Sequence, residues 1–84
     1  METKQMINQS LRRKLDKYVG KLFQYTRYDD KVQLYLILSY ELVEGKPYFR
    51  EMYIGSDEKP AITLTEADML INQLKVSTRY RLHE

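Results

Sequence analysis

The sequence contains no cysteine, and this absence excludes disulfide bonds, thiolate catalysis and zinc sites of the thiolate kind. Its three glycines, Gly20, Gly45 and Gly55, are single and far apart, so the sequence has no glycine-rich phosphate loop. The one histidine, His83, is the penultimate residue, where chain ends commonly fray and catalytic groups are poorly positioned. The sequence therefore predicts that the protein is not an enzyme and has no catalytic, cofactor-binding or metal-binding residues.

Long apolar runs are also missing. The longest, residues 34–38, is much shorter than the roughly 20 residues that a membrane-spanning helix needs. Residues 1–10 show neither the apolar segment nor the cleavage site of a secretory signal. We therefore expect a cytoplasmic protein that makes no contact with a membrane.

The composition suits one small globular domain over residues 1–84, because 43% of the residues are hydrophobic and 31% are charged. The net charge of +2 is divided unevenly. Residues 1–40 contain eight Lys or Arg and four Asp or Glu, whereas residues 41–84 contain six Lys or Arg and eight Asp or Glu. The basic half could attract an anionic partner, although a surplus of this size is also common on an ordinary solvated surface.

The beginning of the chain predicts an amphipathic helix over about residues 4–19. Its apolar residues recur every three or four positions, with Thr3 as a suitable N-cap and Gly20 as a suitable C-terminal stop. The pattern then changes to alternation, which predicts a strand at about residues 21–28, and Asp29 and Asp30 predict a turn after it.

Residues 32–43 give the strongest strand pattern. The even-numbered positions from Val32 to Leu42 form an apolar face, which the pattern predicts to be core. The opposite face is also partly apolar at Tyr35 and Ile37, and we expect the N-terminal helix to cover it. Gly45 predicts a hairpin to another strand at about residues 48–54, where either both faces are buried or a bulge shifts the register.

The last third of the chain predicts three further elements. They are a short strand at residues 61–64, a helix at 66–74 with Thr65 as its cap, and a possible edge strand at 76–82. The chain as a whole is therefore predicted to be an α+β domain with a small antiparallel β-meander. Two architectures fit this order, an SH3-like barrel and a strongly curved open sheet with helices on one face, and the tight turns favour the barrel.

Two groups of side chains are candidates for binding a partner. The first is basic and contains Arg12, Arg13, Lys14, Lys17 and Lys21 on the first helix, with Arg79 and Arg81 near the C-terminus. Such residues can contact phosphates, but a solvated helix face has the same composition, and Asp16 could pair with Arg12 or Arg13. The second group comes from the eight tyrosines. We expect Tyr25 and Tyr40 in the core, and the following four are the candidates to test for exposure: Tyr28, Tyr35, Tyr48 and Tyr53.

Several short segments follow one another in a recognisable order: Gly20, Lys21, Leu22 and Phe23, then residues 34–40, then Gly45, Lys46 and Tyr48, then Leu64, Thr65 and Glu66. In this order the chain resembles small phage-encoded proteins of uncharacterised function with an SH3-like barrel layout. The resemblance covers most of the chain and rests on size, lack of cysteine and element order. It implies a host-directed binding or inhibitory role in the host-cell cytoplasm, and it implies no particular site residue.

Two hypotheses of function follow from these patterns. The first is a protein-binding or regulatory module that can also self-associate and that uses exposed tyrosines and an unfilled sheet edge. The alternative is a nucleic-acid-binding module in which the two basic groups contact phosphates and tyrosines stack on bases. The alternative requires the two basic groups to lie on one continuous face. We favour a protein partner because a net charge of +2 is small for a nucleic-acid-binding domain.

Overall fold

The computed structural model describes residues 9–54 and 61–83 of the chain. In chain order the elements are α1 (Gln9–Asp16), β1 (Leu22–Thr26), β2 (Val32–Val43), β3 (Lys46–Tyr53), β4 (Ala61–Glu66), α2 (Ala67–Val76) and β5 (Tyr80–His83). The predicted α+β class, with an N-terminal helix and a second helix near the C-terminus, is confirmed. No helix within the described ranges is long and apolar enough to cross a membrane.

The five strands form one antiparallel sheet in the order β4-β3-β2-β1-β5. Strands β1 to β4 are the predicted meander, and α2 carries the chain from the β4 edge back across the sheet to β5 at the other edge. The sheet is open, so the favoured barrel does not form and the open-sheet alternative is the one observed. The sheet can remain open because the two helices bury the apolar side chains of one of its faces.

The core lies between the two helices and one face of the sheet. Its buried apolar residues come from α1, β1, β2, β3 and α2, and they are Leu15, Phe23, Ile37, Phe49, Ala67, Leu70 and Ile71. The helices also contact each other, since Lys14 Nζ lies 3.1 Å from an oxygen of Asp68. Both helices therefore lie on the same side of the sheet, which we call the covered face.

A β-bulge in β2 changes which residues reach the covered face. The register shifts between Ile37, which is opposite Glu51, and Ser39, which is opposite Arg50. Before the bulge the odd-numbered residues face the helices, and after it the even-numbered Tyr40 does, because it lies opposite the buried Phe49. The prediction that the even-numbered residues from Val32 onward are core was therefore wrong up to the bulge, whereas the expected helical cover over Ile37 is confirmed.

The observed turns match the sequence-based predictions more closely than the observed ends of the helices do. Glu44 and Gly45 both have positive φ, 51° and 85°, and form the two-residue hairpin link between β2 and β3. The first helix ends at Asp16, earlier than the predicted residue 19, and the segment 17–20 is a turn. The predicted start of this helix at residue 4 and its cap Thr3 lie outside the described residues.

The second helix, unlike the first, ends later than predicted, and it also begins later. Its N-cap is Glu66, whose side chain makes no capping hydrogen bond. The predicted cap, Thr65, belongs to β4, and its hydroxyl donates a hydrogen bond to Glu51. The helix continues to Val76, so the last strand starts at Tyr80. The predicted edge strand exists, in a shorter form.

Candidate functional site

The face of the sheet opposite the helices carries a row of apolar side chains, and we call it the open face. The row crosses from β1 to β4, since Leu22 lies opposite Leu36, Leu36 opposite Met52, and Met52 opposite Ile62. The two neighbouring rows are mixed. They contain Leu34 of β2 and Leu64 of β4, and also Gln24 and Arg50. Among the described residues, no helix or strand packs over this face.

An apolar open face is unusual for an antiparallel sheet, which commonly buries one face and solvates the other with polar side chains. The exposed fractions of Ile62 and Leu64 are 50% and 46%. Leu22, Leu36 and Met52 in the middle of the sheet are half-buried by one another. Contiguous apolar surface rimmed by polar groups is typical of an interaction site.

Charged side chains border the open face. At one end Arg50 Nη2 lies 2.7 Å from Oε1 of Glu41, and Glu66 on β4 lies 3.6 Å from Lys46 Nζ. At the β5 edge Arg81 is exposed, and His83 Nε2 lies 2.9 Å from Oε1 of Gln24. The β5 edge of the open face is therefore cationic at Arg81, and the β4 edge carries Glu66.

A cavity of about 210 Å³ lies on the covered face, between α2 and the sheet, and we call it the Glu51 cavity. Its sheet side is aromatic and consists of Phe23, Tyr25, Tyr35 and Tyr80. The helix contributes Met69, Leu70 and Gln73, and the neighbouring strands β3 and β4 contribute Glu51 and Thr65. Its described lining therefore contains one carboxyl group and no Lys, Arg or His.

Glu51 is 2% exposed, although it carries an ionisable group. Oε1 accepts a 3.0 Å hydrogen bond from the Thr65 hydroxyl, and Oε2 is buried with no partner in residues 9–54 and 61–83. Burial raises the pKa of Glu51 to about 7, while the bond from Thr65 acts in the opposite direction. A carboxyl group of this kind changes its charge near neutral pH.

The aromatic rings around the Glu51 cavity contact one another in a continuous group. The ring centroids of Phe23 and Tyr35 are 5.0 Å apart and nearly parallel, and those of Tyr25 and Tyr80 are 4.8 Å apart. Burial and then the charge of Glu51 raise the pKa of Tyr35. Burial raises the pKa of Tyr80 as well, followed by the effects of Tyr25 and Glu51. The carboxyl group of Glu51 therefore lies close enough to Tyr35 and Tyr80 to raise the pKa of their phenols.

The basic residues of the first helix are placed on the helix side of the sheet. Arg12 and Arg13 are exposed, and Lys14 is paired with Asp68. Lys17 and Lys21 line a shallow depression with Tyr18 and Leu82. These cations therefore surround α1 and the turn that follows it.

Arg79 and Arg81 do not extend that group. The guanidinium of Arg79 donates from Nη1 to the carbonyl oxygens of Thr26 and Arg27, at 3.1 and 2.8 Å, and its Cζ lies 4.3 Å from the centre of the Tyr28 ring. Arg81 alternates with Tyr80 and Leu82, which face the core, so it lies on the open face. Arg81 and the cations of α1 are thus on opposite faces.

The four tyrosines that were candidates for an exposed contact surface have different environments. Tyr28 is 84% exposed, and Tyr48 is half-buried on the open face between Glu41 and Glu66. Tyr35 and Tyr53 are half-buried on the covered face, with ring centroids 5.4 Å apart.

The two expected core tyrosines contact the core without being fully buried. Tyr40 packs against the buried cluster and donates a 2.9 Å hydrogen bond to Asp16, which joins β2 to α1. Tyr25 is half-buried beside Tyr80.

Sequence reasoning missed Glu51. The signal that could have found it is its position midway between Phe49 and Tyr53, two aromatic residues that alternate on one face of β3. An acidic residue at the centre of such a pattern points into the core. In the part of the chain that the structure describes, no cluster of three or more Asp, Glu or His residues could hold a metal ion.

No protein-family model, curated protein or solved structure matches this chain. The resemblance to small phage-encoded proteins therefore stays a prediction. The function has to be argued from the open face, the Glu51 cavity and the positions of the charged residues.

Proposed function

We propose that the protein is a small non-enzymatic protein-binding module that acts in the cytoplasm and binds a second copy of itself through the open face. The observation that supports this proposal is the row of Leu22, Leu36, Met52 and Ile62 across an uncovered sheet. Apolar side chains in this arrangement gain free energy when a partner removes them from water, at about 25 cal/mol per Å².

The size of the open face suits a dimer. Five strands about 4.8 Å apart and rows of side chains about 6.8 Å apart give a face of roughly 500 Å² in projection for three rows. The accessible area of the side chains is larger than this projection. A standard interface buries about 800 Å² on each partner, so the open face provides an area of the required order.

The apolar row favours an identical partner, because it can pack against its own copy. Two sheets that pack face to face keep their strands within about 30° of each other. A two-fold axis along the strands then places the apolar row of one copy on the apolar row of the other, with the β5 edge of one copy over the β4 edge of the other. Each contact in this arrangement occurs twice.

Sedimentation equilibrium over a range of protein concentrations tests this proposal. We expect the wild-type chain to dimerise and Ile62→Lys to remain monomeric, because the substitution places a charge in the apolar row. The side chain of Ile62 is 50% exposed in the single chain, so the variant is expected to fold.

Val76→Lys is the matched control. Val76 is 68% exposed at the end of α2, away from the open face, so this variant gains the same charge and should still dimerise. A wild-type chain that stays monomeric at every concentration would contradict the proposal. Equal dissociation of both variants would contradict the open face as the interface.

The nucleic-acid-binding alternative has less support from the positions of the basic residues. Arg81 and the cations of α1 lie on opposite faces of the sheet, and Arg79 is engaged with backbone carbonyl oxygens. Fluorescence anisotropy with single-stranded and duplex oligonucleotides tests this alternative. Binding that weakens steeply with salt and is lost on charge reversal of Arg12 and Arg13 would favour it over self-association.

A further inference from the structure

The Glu51 cavity combines three properties that together describe a ligand. It has room, since about 210 Å³ is well above the 10 to 15 Å³ that a single water molecule needs. It has an unpartnered acceptor, because Oε2 of the buried Glu51 receives no hydrogen bond from the described residues. It also has an aromatic wall, of which Tyr25, Tyr35 and Tyr80 are members.

A buried carboxylate with no cation nearby takes up a proton, whereas one that keeps its charge requires a cation, and the described lining of the cavity offers none. The charged side chains near this part of the fold are engaged elsewhere. Arg50 and Glu41 pair with each other on the open face, and Lys14 pairs with Asp68 at the surface. The missing positive charge would therefore have to come from a bound molecule.

The donor set distinguishes between the possible cations. A hard metal ion such as calcium takes six to eight oxygen ligands, mainly from carboxylates and carbonyls, of which the described side chains of the lining offer one carboxyl and one amide group. A guanidinium group prefers both oxygens of a carboxylate, but Oε1 already accepts the hydrogen bond from Thr65. A quaternary ammonium group has no N–H to donate to Oε2. A primary ammonium group has the required donor, and the faces and edges of aromatic rings accommodate its charge and alkyl chain.

We propose that the Glu51 cavity binds a primary aliphatic ammonium group, which donates a hydrogen bond to Oε2 of Glu51 while its alkyl chain packs against Tyr25, Tyr35 and Tyr80. The group can belong to a free small amine or to a lysine side chain of a bound peptide. The cavity is on the covered face, so this proposal is independent of self-association through the open face.

The test is an NMR titration of the ¹⁵N-labelled chain with n-butylammonium chloride, with tetramethylammonium chloride and sodium chloride as matched salts. We expect saturable shifts for the amides of Glu51, Thr65 and Gln73 with n-butylammonium alone. Parallel titration with Nα-acetyl-lysine methylamide separates the two sources. Binding of this probe indicates that a lysine side chain fits, and binding of n-butylammonium alone indicates a free amine.

Two further measurements identify the acceptor. Glu51→Gln should weaken n-butylammonium binding about 10-fold or more, since a hydrogen bond to a charged group contributes about 1.5 to 3 kcal/mol. Glu41→Gln, which changes an exposed carboxylate on the open face, should leave the affinity unchanged. In the wild type, affinity should fall as the pH is lowered below about 7, because protonated Glu51 loses its charge.

The groups that face Glu51 allow this pH dependence to be assigned. They are the hydroxyl of Thr65, the amide of Gln73 and the phenols of Tyr25, Tyr35 and Tyr80. Thr65 and Gln73 have no ionisable group, and the pKa values of Tyr35 and Tyr80 are raised above 10, so these phenols stay neutral between pH 5 and 8. Absence of saturable shifts with either amine would overturn the proposal. Equal shifts with tetramethylammonium, or an unchanged affinity in Glu51→Gln, would also overturn it.

Discussion

The hydroxyl of Thr65 donates a 3.0 Å hydrogen bond to Oε1 of Glu51, while Oε2 of the same carboxyl group has no partner among the described residues. Burial raises the pKa of Glu51 from 4.5 to about 7. Between these two values the folded chain binds a proton that the unfolded chain has released. The free energy of unfolding therefore decreases as the pH rises from about 4.5 to about 7, and its contribution from Glu51 is constant above that range.

The first prediction is that Glu51→Gln makes the protein more stable at pH 8 and flattens this pH dependence. A shift from 4.5 to about 7 corresponds to roughly 3 kcal/mol, at about 1.4 kcal/mol per pH unit. Glutamine has the same shape and no charge to bury. Urea unfolding at pH 4 and pH 8 measures the difference, with Glu44→Gln, an exposed position in the hairpin link, as the control. A pH dependence that persists in Glu51→Gln would show that another group causes it.

The second prediction concerns Thr65. Thr65→Val preserves the shape of the side chain but removes the donor to Oε1, leaving both oxygens of Glu51 without a partner among the described residues. We expect a loss of about 1 to 3 kcal/mol in the free energy of unfolding, with the larger loss above pH 7 where the carboxyl is charged. Thr63→Val, an exposed position on the same strand, is the control. Equal losses in the two variants would indicate a general effect of valine in β4.

The order and type of the elements could be predicted because local patterns decide them. The spacing of Leu11, Leu15 and Tyr18 predicts a helix, and the link at Gly45 predicts a hairpin. The choice between a barrel and an open sheet depends on whether distant strands pair. Here β5 pairs with β1 and β4 remains the other edge, a contact between distant parts of the chain that no short pattern contains.

The faces of β2 could not be assigned from alternation alone, since both faces are apolar. The even-numbered residues from Val32 to Leu36 and the odd-numbered Tyr35 and Ile37 are equally suited to a core. The bulge after Ile37 then exchanges the two faces, and nothing in the sequence marks its position. The Glu51 cavity was missed for a related reason, because it depends on the side of β3 that α2 covers.

The third prediction concerns Arg79, whose guanidinium donates to the carbonyl oxygens of Thr26 and Arg27 and stacks on Tyr28. Arg79→Ala removes charged hydrogen bonds that join the turn after β1 to the end of the chain. We expect a loss of about 1.5 to 3 kcal/mol in the free energy of unfolding. Arg81 is exposed on β5, so Arg81→Ala should change the free energy of unfolding by less than about 0.5 kcal/mol at low protein concentration. Equal effects would contradict a structural role for Arg79.

The fourth prediction compares two neighbours on opposite faces of β2, Leu36 and Ile37. Ile37 is 0% exposed within the core, so Ile37→Ala should reduce the free energy of unfolding by about 2 to 5 kcal/mol. Leu36 is half-buried on the open face, and Leu36→Ala should cost much less at protein concentrations where the chain is monomeric. At higher concentrations Leu36→Ala should weaken self-association, because Leu36 lies in the apolar row. Urea unfolding at two protein concentrations measures both effects. A larger loss of stability for Leu36→Ala than for Ile37→Ala in the monomer would contradict the position of the bulge. It would indicate that the even-numbered residues of β2 face the core, as uninterrupted alternation predicts.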